Sequence, residues 1–272
     1  MDNRPIGFFD SGLGGLTCIP GVTEELPEER ILYFGDTART PYGSKAISTI
    51  LQFTGETVDF LLSKDVKLIV IACNTVSSTA MNFLRESFPQ VHFIGVIDPM
   101  INMIRKSLDN TARIGVIGTK VTIESGVYQE KTEAALTGAA VFAKACPLFV
   151  PLIEEGFTDH EMIDLAIHYY LDDFVRDNGL THIVLGCTHY PMIEHRIRAI
   201  YPRLEILNPS LTVADAVVAY LTEHDMLADR REGENLFYAS DLSDNFKRMT
   251  EQLLGDAPGK MRLFNLENPE LR

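Results

Sequence analysis

The chain has 272 residues, 46% hydrophobic and 23% charged, which is ample for a sizeable core and speaks against a disordered chain. That length suits two compact units or one large one. The formal net charge of −14 argues against nucleic acid as a partner, and it requires any small-anion site to be built locally from N–H groups, hydroxyls and amides.

In chain order, the first predicted strand is Ile6 to Phe9, followed by a helix through Leu13 to Leu26 and a strand from Ile31 to Phe34. A helix is expected from Ser44, as N-cap, to Ser63. Lys67 to Ala72 reads as a nearly pure apolar strand, Thr75 to Phe88 as helix and Val91 to Ile97 as strand. Then the pattern starts again. Arg113 to Ile117 is a strand, Thr122 to Leu136 a helix, and Ala139 to Ala145 a strand. Thr158-Asp-His-Glu161 has the form of a capping box, opening a helix to about Arg176. His182 to Leu185 is a strand, with a helix from about Met192 to Ile200. Such alternation, with continuous apolar strands, predicts α/β architecture with parallel sheets covered on both faces.

Two segments repeat at similar offsets. Ile6-Gly-Phe-Phe-Asp-Ser11 resembles Ile114-Gly-Val-Ile-Gly-Thr119, and Ile69-Val-Ile-Ala-Cys-Asn-Thr75 resembles Ile183-Val-Leu-Gly-Cys-Thr-His189. The pattern suggests two like units, although apolar strands also resemble one another by chance. In each unit a later strand ends in a cysteine, Cys73 or Cys187. In parallel α/β sheets, ligands sit beyond the C-terminal strand ends. A helix starting just after each cysteine would lower the thiol pKa.

Two like acid/base groups facing each other across a cleft suit inversion of a tetrahedral carbon: one removes a proton, and the other returns one to the opposite face. For a lone cysteine in an apolar strand the ordinary reading is a small buried hydrophobe. That reading is kept for Cys18 and Cys146. Asn74, Thr75, Thr188 and His189 follow the two repeated cysteines and offer donors for a carboxylate. Asp10 offers a carboxylate to an ammonium group or to a thiol, or simply forms the turn before Gly12. Thr40-Pro-Tyr-Gly43 reads as a turn, and His189 either supports Cys187 or caps a helix.

Other readings compete. Gly12-Leu-Gly-Gly-Leu-Thr17 approaches a dinucleotide fingerprint, with Asp36 as the ribose-binding acid, but Thr17 stands where the third glycine belongs. A Cys187–His189 hydrolase leaves Cys73 idle, and residues two apart around a turn need not face each other. No ligand pair has zinc spacing, so no metal is expected. A non-catalytic two-lobed receptor for small anions is a further reading. The four cysteines are scattered, no signal-peptide stretch follows Met1, and no apolar run approaches the ~18 residues of a membrane span. The expectation is a soluble cytoplasmic protein with no membrane partner.

Gly7-Phe-Phe-Asp-Ser-Gly-Leu-Gly-Gly15, Gly35-Asp-Thr-Ala-Arg-Thr-Pro-Tyr-Gly43, Ala72-Cys-Asn-Thr75, Gly115-Val-Ile-Gly-Thr119 and Gly186-Cys-Thr-His-Tyr-Pro191 together resemble the signatures of the glutamate racemase family. They span the chain to about Ala219. The resemblance implies two pseudo-symmetric three-layer α/β domains, 1–97 plus 211–272 and 98–210, with the active site between them. It implies Cys73 and Cys187 as the proton donor/acceptor pair, the first working on the D-enantiomer and the second on the L-enantiomer. Asp10, His189 and Glu154 match residues that assist the thiols. Asp10, Ser11, Tyr42, Gly43, Asn74, Thr75, Thr188 and His189 match the substrate-binding positions. No cofactor, a glutamate substrate, a homodimer and a role in supplying D-glutamate for peptidoglycan are implied as well. Relatives in the wider superfamily racemise aspartate or hydantoins.

Overall fold

Apolar runs too short for helices and bounded by turn residues pair side by side in the computed structural model, which describes residues 1–255, 259–264 and 266. The strands among these residues are β1 (Ile6–Asp10), β2 (Ile31–Gly35), β3 (Leu68–Ile71), β4 (His92–Gly95), β5 (Arg113–Gly118), β6 (Ala140–Ala145), β7 (His182–Gly186), β8 (Glu205–Leu207), β9 (Leu236–Ala239) and β10 (Lys260–Leu263). They form a six-stranded sheet, β10-β9-β2-β1-β3-β4, and a four-stranded sheet, β6-β5-β7-β8. Every pairing is parallel. The strands β1, β2 and β3 are buried along their whole length, as expected where helices cover both faces.

The sequence repeat has a topological counterpart. In the first sheet β1 lies between β2 and β3, with Ile6 beside Leu68. In the second, β5 lies between β6 and β7, with Ile114 beside His182. The order β2-β1-β3-β4 is thus repeated as β6-β5-β7-β8. The cysteine-bearing strand neighbours the first strand of its unit in both cases.

Several helices depart from the predicted outlines. The helix expected over Leu13 to Leu26 is a 3-10 turn, Gly14–Cys18, followed by α-helix Ile19–Glu25, with Pro20 in its first turn. Ser44 is not an N-cap: it closes a 3-10 turn, Tyr42–Ser44, and the helix runs Ile47–Leu62. The stretch from Thr75 to Phe88 splits into Asn74–Thr79 and Met81–Ser87. That from Thr122 to Leu136 splits into Lys120–Glu124 and Val127–Ala135 around Gly126, whose φ of 68° suits glycine. The capping box at Thr158 does not form. Phe157–Asp159 is a 3-10 turn, and His160 Nδ1 caps helix Glu161–Asn178 by accepting from the Met162 N–H.

Helix Ile97–Ser107 links the two sheets. Its Met100, Ile101 and Ile104 join one core cluster with Ile6, Val70 and Val96 from the first sheet side and Ile114, Val116 and Val184 from the second. Helix Val213–Glu223 returns the chain and contributes Val213, Val217 and Leu221 to the same cluster. Shared burial of this kind holds the two sheets at a defined spacing.

Candidate active site

The C-terminal ends of β1, β3, β5 and β7 converge on one narrow cleft with a free volume of only about 20 Å³. It is lined by Ser11, Tyr42, Gly43, Cys73, Asn74, Thr75, Cys187, Thr188 and His189, with Thr40, Pro41, Thr119 and Val150 completing the wall. Nine of the eleven residues singled out from sequence therefore meet in one place. The other two lie behind it: Asp10 is fully buried under the floor, and Glu154 stands behind His189. Cys18 and Cys146 are buried in core clusters and do not line the cleft.

The two thiols reach the cleft by equivalent routes from different sheets, Cys73 two residues after β3 and Cys187 directly after β7. Each is only a few per cent exposed, at 4% and 6%. Their surroundings differ. The Cys73 thiol donates to Ser11 Oγ at 3.3 Å. It occupies the N-cap position of helix Asn74–Thr79, yet its pKa is not lowered as expected. Burial, with the nearby Asp10 carboxylate, pushes it up to about 12, outweighing Ser11 and the Val76 N–H. No α-helix follows Cys187 directly. A 3-10 turn, Tyr190–Ile193, comes first.

Beside Cys187 the chain builds a relay. His189 Nδ1 lies 3.9 Å from Cys187 Sγ, so these two residues do face each other, and its Nε2 lies 3.0 Å from Glu154 Oε1. Burial opposes charge on His189, but Cys187 and Glu154 prevail and lift its pKa to about 10. An imidazolium therefore sits next to Cys187. Across the floor, Asp10 accepts from the Gly12 N–H at 2.9 Å and from the Thr188 hydroxyl at 3.3 Å. Burial raises its pKa, against the pull of His189.

Glycines let the two halves close. A Cβ on Gly14 would stand 2.3 Å from Thr188 Oγ1 and 2.6 Å from His189 Nδ1; one on Gly43 would stand 2.4 Å from Thr119 Cβ. The Gly12–Thr17 segment thus serves contact between the units. Asp36, the candidate ribose-binding acid, is fully buried and already engaged by Arg39 Nε at 2.8 Å, Ser240 Oγ at 2.8 Å and the Tyr42 hydroxyl. Its geometry anchors the Tyr42 turn and leaves no carboxylate for a dinucleotide.

Sequence reasoning did not single out Thr119 or Val150 as site residues. Thr119 had a signal: it occupies the place of Ser11 in the repeat. It closes a triangle of hydroxyls with Thr75 at 3.1 Å and Thr122 at 2.9 Å. Val150 carried no comparable signal. Among the described residues, no group of three or more His, Cys, Asp or Glu side chains is arranged to hold a metal ion. No helix among them is long and apolar enough to cross a membrane.

The profile of the Asp/Glu/Hydantoin racemase family matches residues 17–221. A glutamate racemase of Persephonella marina is 42% identical over 92% of this chain and 93% of its own. Among solved structures, glutamate racemase from Francisella tularensis in complex with D-glutamate superposes with a TM-score of 0.91 at 36% identity, covering 98% of this chain and 99% of that one. Glutamate racemase from Thermus thermophilus in complex with beta-chloro-D-alanine gives a TM-score of 0.85 at 38% identity, with 98% and 99% coverage. The chain belongs to the Asp/Glu/Hydantoin racemase family. Within that family, these three relatives, each matched along almost its whole length at 36–42% identity, are glutamate racemases.

Proposed function

We propose that the protein interconverts L- and D-glutamate by proton transfer between two thiols, without a cofactor. The observation that carries this reading is that Cys73 and Cys187, from equivalent strand ends of two sheets, line one cleft. The whole-length similarity to glutamate racemases supports glutamate as the substrate in preference to aspartate.

In the L-to-D direction the Cys187 thiolate removes the Cα proton and the Cys73 thiol delivers its proton to the opposite face; the reverse direction exchanges the roles. The surroundings suit the start of the first direction. Burial and Asp10 keep Cys73 protonated, ready to donate, while His189, held by Glu154, stands beside Cys187. Developing charge on the carbanion spreads into the α-carboxylate, where Asn74, Thr75 and Thr188 offer donors from buried positions. Ser11, Tyr42 and Gly43 complete the substrate wall.

The cleft reading divides the chain into 1–97 plus 211–272 and 98–210. The pairing of β9 with β2 supports it, while residues 256–258, 265 and 267–272 of the first unit lie outside the described residues. Family resemblance further supports a homodimer, cytoplasmic location and supply of D-glutamate for peptidoglycan.

Circular dichroism of reduced enzyme with either enantiomer, and no added pyridoxal phosphate, metal or nucleotide, tests the reading. Loss of optical activity from both sides is expected, with aspartate much slower. Cys73→Ser and Cys187→Ser should each lower the rate by orders of magnitude, since a hydroxyl is a far weaker acid than a thiol. A stable signal with both enantiomers would refute the proposal.

A further inference from the structure

One polar side chain that the reaction scheme does not use crosses between the two units. Tyr128 lies in helix Val127–Ala135, on the side of the second sheet, with its ring buried. Its hydroxyl donates to Asn74 Oδ1 at 2.6 Å. Asn74 opens helix Asn74–Thr79 on the side of the first sheet and lines the cleft.

A primary amide has an accepting end and a donating end. Among the described residues, the Tyr128 hydroxyl has no acceptor other than Asn74 Oδ1, and Asn74 Nδ2 has no protein acceptor. Burial pushes the Tyr128 pKa upward, so the phenol keeps the proton it donates. With its oxygen committed to Tyr128, the amide keeps its NH2 group for another acceptor, and Asn74 lines the cleft. An NH2 group there welcomes a carboxylate and repels an ammonium.

We propose that Tyr128 is a positioning residue: delivered from the second unit, its hydroxyl locks the Asn74 amide of the first unit with Nδ2 preset to donate to a substrate carboxylate. The bond exists only when the two units are together. Closure and carboxylate recognition are therefore coupled through one hydrogen bond. The inference rests on the racemase reading for the identity of the carboxylate.

The test uses the full-length protein as wild type, Tyr128→Phe, Asn74→Ala and the double variant. Affinity for D-glutamate is read by calorimetry and KM by circular dichroism. Phenylalanine keeps the ring that fills the interface, and far-ultraviolet spectra and melting curves check folding. Loss of one fixed donor to a charged group should weaken binding about tenfold and raise KM similarly. The decisive readout is the cycle: in the Asn74→Ala background, Tyr128→Phe should have no further effect on affinity, whatever it does to Tm. A purely structural tyrosine would weaken both backgrounds equally. Affinity within twofold of wild type in Tyr128→Phe, or equal losses in both backgrounds, overturns the proposal. The racemase reading fails separately, if wild-type protein binds glutamate without inverting it; the binding cycle still decides the role of Tyr128.

Discussion

Replacing Gly14 by alanine puts a methyl group into the contact between the two units. The new carbon would stand 2.3 Å from Thr188 Oγ1, 2.6 Å from His189 Nδ1 and 2.9 Å from the His189 backbone nitrogen. Ordinary contact is about 3.5 Å, so the backbone must yield by roughly 0.5 Å and the side chains by about 1 Å. Neither side chain is free to move. Thr188 is tied to Asp10, and His189 is held between Cys187 and Glu154. A displacement of about 1 Å between reacting groups costs on the order of a hundredfold in rate, or about 2.7 kcal/mol in barrier. The expected result is kcat/KM lower by about that factor for both enantiomers, because both directions use the same cleft. Gly21→Ala is the control. Its Cβ meets Ala214 at an ordinary 3.6 Å, and alanine gains up to about 1 kcal/mol of helix propensity in Ile19–Glu25. Circular dichroism assays with both variants, at matched folding by melting curve, decide the matter. Wild-type kcat/KM in Gly14→Ala would refute the claim that this glycine is required for close approach of the halves.

The raised His189 pKa makes a signed prediction about pH. The protonated form is favoured in the folded state, so its contribution to stability is fully present below the ordinary value of 6.5 and is lost as pH rises through about 10. The Tm difference between wild type and His189→Gln should therefore shrink from pH 6 to pH 10; a constant difference would contradict the assigned charge. Lys67→Met should destabilise the fold by about 3–5 kcal/mol, because it leaves the Glu29 carboxylate without its cation. The Lys67 ammonium is fully buried and donates to Glu29 Oε1 at 2.9 Å, Asp2 O at 2.6 Å and Met226 O at 2.7 Å. Denaturant melts measure this, and a loss under about 1 kcal/mol would show that the pair carries little net energy.

Much of the site was legible because it lies at strand ends, where local sequence decides position. Cys73, Asn74, Thr75 and Cys187, Thr188, His189 follow runs whose apolar character identifies them as buried strands, and parallel pairing brings their ends to one edge. The fold's beginning and its two repeats were readable for the same reason. What escaped depends on contacts between distant segments. Helix Ile97–Ser107 was hidden because its first residue reads as the end of an apolar strand, and Pro99 tells nothing of the helix start until β4 is known to stop at Gly95. Strands β9 and β10 are only four residues each, and they are strands because β2 offers an edge to β9 and β9 in turn offers one to β10. The Tyr128–Asn74 bond joins residues far apart in sequence, so no spacing rule announces it. The expected lowering at Cys73 failed for a related reason: the helix start was read correctly, but burial and Asp10 come from tertiary packing.

Isotope incorporation tests the two-thiol account most directly. L-glutamate is converted in D2O, and both the product and the recovered substrate are analysed at early turnover by mass spectrometry. Proton removal on one face and delivery on the other predicts that D-glutamate carries deuterium at Cα from the first turnovers, while recovered L-glutamate still carries protium. Product that retains the original hydrogen, or deuterium entering recovered substrate as fast as product forms, would contradict opposed transfer by Cys73 and Cys187.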